Sequence, residues 1–147
     1  MNKIIIGCDH GGLEHKNAIK QHLTELGHEV EDFGIYEQVS VDYPDIAVKV
    51  CESITNKKNQ RGILVCGTGI GMSIAANKVK GIRAAACSEH FSAKFTRLHN
   101  DSNILCLGGR VIGVGTAVEL AEIFVTTEFE GGRHQNRINK ITEIENS

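Results

Sequence analysis

Short β-branched runs alternate with longer stretches of helical period along this chain, and that alternation admits few folds. KIIIGC (3–8), HEVEDF (28–33), RGILVC (61–66), IRAAAC (82–87) and NILCLG (103–108) read as strands. Between the first two, Leu13, Ala18, Ile19, Leu23 and Leu26 recur at helical spacing, and Gly27 follows as a stop signal. Residues 40–57 hold the only proline, Pro44, which suits the first turn of a helix carrying Ile46, Ala47, Val50 and Ile54 on one stripe. Helices are also expected over 69–79, over 88–100 with Ser88 as cap, and over 115–127. Such βαβ alternation implies a doubly wound α/β fold. Its five-stranded, mostly parallel sheet carries helices on both faces through right-handed crossovers, and the expected strand order is 2-1-3-4-5. The polar segment 128–147 carries Ile138, Ile141 and Ile144 every third residue. It is expected to form a tail helix packed on the domain or on a partner subunit, within a single domain spanning 1–147.

The 147 residues suffice for one sizeable core. A net charge of −2 gives no electrostatic case for nucleic acid or an anionic membrane. No apolar run approaches the roughly 18 residues of a membrane span, and the start runs into a strand without a leader's apolar core. These features give an expectation of a cytoplasmic protein. The five cysteines, Cys8, Cys51, Cys66, Cys87 and Cys106, are odd in number and lack C-x-x-C or zinc-finger spacing. Most sit in or beside apolar runs, as small buried hydrophobes do.

In doubly wound folds the ligand binds beyond the carboxyl ends of the strands, at the switch point between the first and third. The first strand ends in CDHGG and the third in CGTGIG. Asp9 and His10 are therefore expected to face Cys66 and a loop with glycine at 67, 69 and 71. A glycine loop entering a helix offers backbone N–H groups to an anion, either a phosphate or a transient oxyanion. It is not a Walker A loop. As a dinucleotide fingerprint it is irregular, since the third glycine falls at 71, but Glu89 stands where a ribose-binding acid is wanted. Cys66 argues for chemistry instead. A thiol just before a helix N-terminus is favoured as thiolate, able to act as nucleophile or base. A buried strand-end cysteine remains the alternative. His99 and Asn100 fall at the end of the fourth helix. Arg133 and Arg137, four apart, project from one face if helical and suit a phosphate clamp, or else form a solvated basic patch. His15, His22 and His28 read as surface residues.

The motifs GCDHGG (7–12), VDYPD (41–45), CGTGIGMSIAANK (66–78), GIRAA (81–85), HND (99–101), LGGRVIG (107–113) and FEGGRHQNRINKI (129–141) occur here in order. Together they resemble the ribose-5-phosphate isomerase B family, within the larger group that includes galactose-6-phosphate isomerase subunits. The resemblance covers nearly the whole chain. It implies interconversion of ribose 5-phosphate and ribulose 5-phosphate without metal or organic cofactor. It implies Cys66 as the base that moves a proton between C1 and C2, with Thr68 supporting it. Gly67, Gly69, Ile70 and Gly71 would hold the enediolate oxygen. Asp9 and His99 would serve ring opening, and Asn100 would bind a sugar hydroxyl. His10, Arg133 and Arg137 would bind the phosphate, with Arg110 and Tyr43 nearby. Some members carry serine in place of Cys66 and a glutamate base in the loop. This loop has no glutamate, so the cysteine version is implied. The resemblance also implies a homodimer, or a dimer of such dimers, whose site a neighbour completes.

Two other readings stand beside this one. A related isomerase would take a six-carbon substrate such as allose 6-phosphate or galactose 6-phosphate. A non-catalytic phosphate-ligand module would have no need of a thiol at position 66.

Overall fold

The computed structural model describes residues 3–55, 57 and 60–147. Residues 1, 2, 56, 58 and 59 lie outside it; Asn56 belongs to the expected end of the second helix. The elements run β1 (Lys3–Cys8), α1 (Leu13–Glu25), β2 (Glu29–Asp32), α2 (Tyr43–Ile54), β3 (Gln60–Cys66), α3 (Ile70–Ala76), β4 (Ala84–Ala86), α4 (His90–Asn100), β5 (Ile104–Gly108), α5 (Val114–Thr126) and α6 (Arg133–Glu145). All five strands pair in parallel. Pro44 stands in the first turn of α2, as its fixed φ favours. The tail forms α6, with Ile138 buried against the chain and Ile141 and Ile144 exposed.

The strand order is β2-β1-β3-β5-β4, so the last two strands are exchanged relative to expectation. Burial explains the exchange. β5 is ILCLG and buried throughout, which suits a strand with neighbours on both sides and helices on both faces. β4 is three alanines, short and partly exposed, which suits an edge. β1, β3 and β5 together form the centre of the core, where Ile4, Ile5, Ile6, Ile63, Leu64, Val65, Ile104, Leu105 and Leu107 are fully buried.

Chain direction then sorts the helices. β1 to β2 steps one way along the sheet, and β2 to β3 steps the other, so right-handed crossovers place α1 and α2 on opposite faces. α1, α5 and α4 pack side by side on one face, and α2 and α3 pack together on the other. The loops leaving β1 and β3 therefore part in opposite directions and open a crevice. The exchange matters here. The strand beside β3 is β5, so the loop after β5 reaches the crevice, while Glu89, after β4, is left at the sheet edge. There Glu89 caps α4, accepting the Ser92 N–H at 3.0 Å, in place of the expected Ser88. Hydrogen bonds from Ser92 hold its carboxyl below the usual range. A ribose-binding role for Glu89 loses its footing with that position.

Candidate active site

Register brings the crevice residues together. Cys8 pairs with Val65 and Cys66 with Gly108, and the Asp9 N–H donates to the Val65 carbonyl at 3.1 Å. Asp9 is 6% exposed, and one carboxylate oxygen accepts the Gly11 N–H at 2.8 Å. Cys66 ends β3 at 5% exposure, and its Sγ accepts the Gly69 N–H at 3.1 Å. The other four cysteines are held as thiols by burial, which pushes Cys8 and Cys87 up to about 11, Cys51 up to about 12, and Cys106 well above its ordinary value.

The loop 67–71 is shaped by its glycines. Gly69 has φ +80°, and a Cβ there would stand 2.9 Å from the Leu107 carbonyl carbon, so both conformation and space require glycine. A Cβ on Gly71 would stand 2.7 Å from the Tyr43 ring, so this glycine lets the first residue of α2 lie against the loop. The Thr68 hydroxyl oxygen accepts the Ile70 N–H at 3.2 Å. Among the described residues, no acceptor within the chain takes the N–H of Gly67 or Thr68. Arg110 donates its backbone N–H to the Gly67 carbonyl at 3.0 Å and lays its side chain along Gly67. His10 is held from the segment after β2. Gln38 donates to its carbonyl at 2.6 Å, and the Val41 N–H donates to Nδ1 at 3.5 Å, which leaves the ring proton on Nε2. Asp9, His10, Tyr43, Cys66, Thr68, the loop 67–71 and Arg110 thus share one crevice: an acid, a thiol, an imidazole, open N–H donors and a guanidinium.

His99, Asn100, Arg133 and Arg137 do not join them within one chain. α4 runs back against the strand direction, so its last turn lies at the amino edge of the sheet. The Asn100 carbonyl accepts from Arg83 Nε at 2.9 Å just before β4, and the Asn103 carbonyl accepts the Gly62 N–H near the start of β3. From Ile104 to Gly108, β5 separates this edge from Cys66 by ~13 Å at ~3.3 Å per residue. At that far edge the rings of His99 and His134 stack, 4.1 Å apart and 13° from parallel. Arg133 and Arg137 stand exposed on α6, which places both of them one turn apart. Nitrogens of His99 and His134 and an oxygen of Glu130 lie within 4.8 Å of one another. Near-parallel rings aim their nitrogen lone pairs alongside each other, however, which is the geometry of a stack and not of a chelate.

Three grooves of the isolated chain lie away from Cys66. One is lined by Arg61, Arg83, Arg97, Asp101 and Glu128, and two others lie between α6 and the β4 edge. The crevice is identified by its chemistry, and it lacks a covering wall.

The sequence pattern of the family described as Ribose/Galactose Isomerase matches residues 4–141. The chain belongs to that family. Ribose-5-phosphate isomerase B of Escherichia coli is 47% identical over 145 residues, covering 99% of this chain and 97% of its own. The solved structure of ribose-5-phosphate isomerase B from Clostridium thermocellum superposes with TM-score 0.94 at 51% identity, covering 98% and 97% of the two chains. That of Mycoplasma genitalium, with bound ribulose 5-phosphate, superposes with TM-score 0.95 at 39% identity, covering 99% and 97%. This ribose/galactose isomerase family member is a sugar-phosphate isomerase of the B type, and among its described residues no helix is long and apolar enough to cross a membrane.

Two features escaped the sequence reading. His15 is buried and its Nε2 lies 2.7 Å from the Ile112 carbonyl, in contrast to the surface position expected of it. Lys16 is fully buried, with Nζ 2.8 and 2.9 Å from the two Asp32 carboxylate oxygens and 2.6 Å from the Ile35 carbonyl. This ties α1 to the segment that holds His10. The signal was present, since Lys16 falls between Leu13 and Ile19 on the apolar stripe of α1.

Proposed function

We propose that this isomerase interconverts ribose 5-phosphate and ribulose 5-phosphate through an enediolate, with Cys66 as the carbon base. The observation that carries the reading is the Cys66 sulfur in the crevice, beside the N–H groups of Gly67 and Thr68, which have no acceptor among the described residues. Isomerisation removes the proton on C2 and returns one to C1, while the hydroxyl proton of O2 passes to O1. The exchange is redox-neutral, so a base and preorganised oxyanion donors suffice without a metal or organic cofactor. The open N–H groups of Gly67 and Thr68 meet the oxyanion, and losing one such donor typically costs about 10²–10³ in rate. The Gly69 N–H aimed at its sulfur orients the Cys66 side chain, and Thr68 has its hydroxyl proton left to donate toward the reacting atoms. Asp9 and His99 serve ring opening, and Asn100 binds a sugar hydroxyl. His10 Nε2–H, Arg110, Arg133 and Arg137 hold the phosphate, with Tyr43 as a wall.

Because His99, Asn100, Arg133 and Arg137 stand at the opposite edge from Cys66, they serve the crevice of a second copy. A homodimer with two composite sites follows, open to further pairing, with α6 at the boundary between catalytic domains. Such an enzyme works on cytoplasmic metabolites. The bound ribulose 5-phosphate in the Mycoplasma genitalium relative supports the five-carbon substrate. The family's description also covers galactose, which keeps allose 6-phosphate and galactose 6-phosphate as the competing substrates. The test is turnover by the purified protein, without added metal, of each of these aldose phosphates. A higher kcat/KM for ribose 5-phosphate is expected. Preference for a six-carbon substrate would reassign the substrate, and turnover of none would overturn the reading.

A further inference from the structure

His134 is a buried titratable group that the proposed chemistry does not use. It is 5% exposed, and its Nε2 is buried without a hydrogen-bond partner among the described residues, with the nearest Glu130 oxygen 3.6 Å away. One of its ring faces is covered by His99, whose other neighbour is the edge of Phe95, 5.0 Å away at 77°. Phe95 in turn stacks on Phe91. The His99 ring is thus held between two aromatic groups, one from its own helix and one from α6.

We infer that His134 is a positioning residue for ring opening, its imidazole being the face on which the His99 ring is held; this rests on His99 acting on the sugar ring. In that step His99 takes the O1 hydroxyl proton, the O1 electron pair forms the carbonyl, the C1–O4 bond breaks toward O4, and the proton passes to O4. His99 is therefore briefly an imidazolium. A cation over a neutral aromatic face is attracted to it, so the stack is favourable in both protonation states provided that His134 stays neutral. The surroundings keep it so. Burial, His99, Arg133 and Arg137 all lower its proton affinity, and only the half-exposed Glu130 opposes them. The groups facing the pair are Phe95 from α4, Glu130 from the preceding loop, and Arg133 and Arg137 on α6. None of them competes for the proton that His99 carries.

The test separates ring opening from carbon chemistry. Ribulose 5-phosphate cannot close a furanose through its phosphorylated O5, so it enters open. Ribose 5-phosphate turnover and C1 proton exchange from ribulose 5-phosphate are measured for His134→Ala, His134→Phe and His99→Asn. His134→Ala should slow ribose 5-phosphate turnover roughly 3–10-fold, the scale of one lost aromatic contact, and leave ribulose exchange nearly unchanged. His134→Phe, which restores an aromatic face, should recover most of the rate. Equal losses on both substrates, or equal losses in Ala and Phe variants, would overturn the inference. If circular dichroism shows His134→Ala unfolded, His134→Gln, which fills the space without a ring, takes its place. Slow ribose turnover in His99→Asn with no effect at His134 would sink this inference alone. Unchanged ribose turnover in His99→Asn would sink the ring-opening reading together with it.

Discussion

The two edges of the sheet hold their functional groups in different ways. At the carboxyl edge, Cys66, Asp9 and the loop 67–71 are fixed by backbone: strand register, glycine approach and main-chain hydrogen bonds. At the amino edge, His99 and His134 are fixed by side chains, one ring against another, and Arg133 and Arg137 stand free in solvent. Bond-making chemistry tolerates little misplacement, and the proposed mechanism places it on the rigid edge. The same proposal places grip and proton relay on helices, where a guanidinium can adapt to a phosphate. The comparison teaches that each chain holds two unlike halves of the proposed site, and each half should fail in its own way.

The largest effect is expected at the rigid edge. Cys66→Ala should lower kcat by about 10²–10⁴, the usual worth of a positioned general base, while a phosphate ligand still binds. Cys66→Ser should be nearly as slow, since a hydroxyl is far less acidic than a thiol and the loop has no glutamate. Retention of more than about a tenth of kcat in Cys66→Ala would remove the thiol from the chemistry and erase the contrast.

Next comes the grip. Arg133→Ala or Arg137→Ala should raise KM roughly 10–100-fold, as charge-assisted hydrogen bonds worth ~1.5–3 kcal/mol are lost, with a smaller part of the loss in kcat. Mixing Cys66→Ala with Arg137→Ala protein should recover activity, because a hybrid dimer keeps one site with both residues intact. No recovery after demonstrated subunit exchange would put the two halves of one site on one chain, against the geometry of β5.

The smallest effect concerns the pH dependence of the amino edge. Burial lowers the proton affinity of His134 in the folded chain, so the unfolded chain binds more protons there. Stability from this group is full above the ordinary histidine value of ~6.5 and is lost as pH falls through it. Replacing it by phenylalanine removes the dependence. Thermal unfolding followed from pH 7 to 5 should therefore show His134→Phe gaining on the parent as pH falls; a constant or shrinking difference would contradict the cause given for the shift.

The same contrast governed what the sequence could reveal. Backbone-built features leave local marks: β-branched runs for β1, β3 and β5, and alternate glycines beside Cys66. Those marks placed the crevice at the β1–β3 switch point. Lateral strand order leaves no such mark. IRAAAC and NILCLG both read as strands, and only the burial of β5 and the smallness of β4 set which lies inside. The stack of His99 on His134 joins residues far apart in the chain, with no local pattern to announce it. Lys16 and His15 were hidden for another reason. A polar side chain on an apolar stripe looks like a misfit until its partners, Asp32 and the Ile112 carbonyl, arrive from elsewhere.

In the proposed composite site, the ~13 Å of β5 between the edge that carries His99 and the edge that carries Cys66 would make catalysis depend on concentration. On that reading a lone chain would carry every residue type the reaction uses and assemble no complete site. Below the dissociation constant of such a pair, the amount of working enzyme would fall with the square of the amount of chain, so dilution alone would silence the protein.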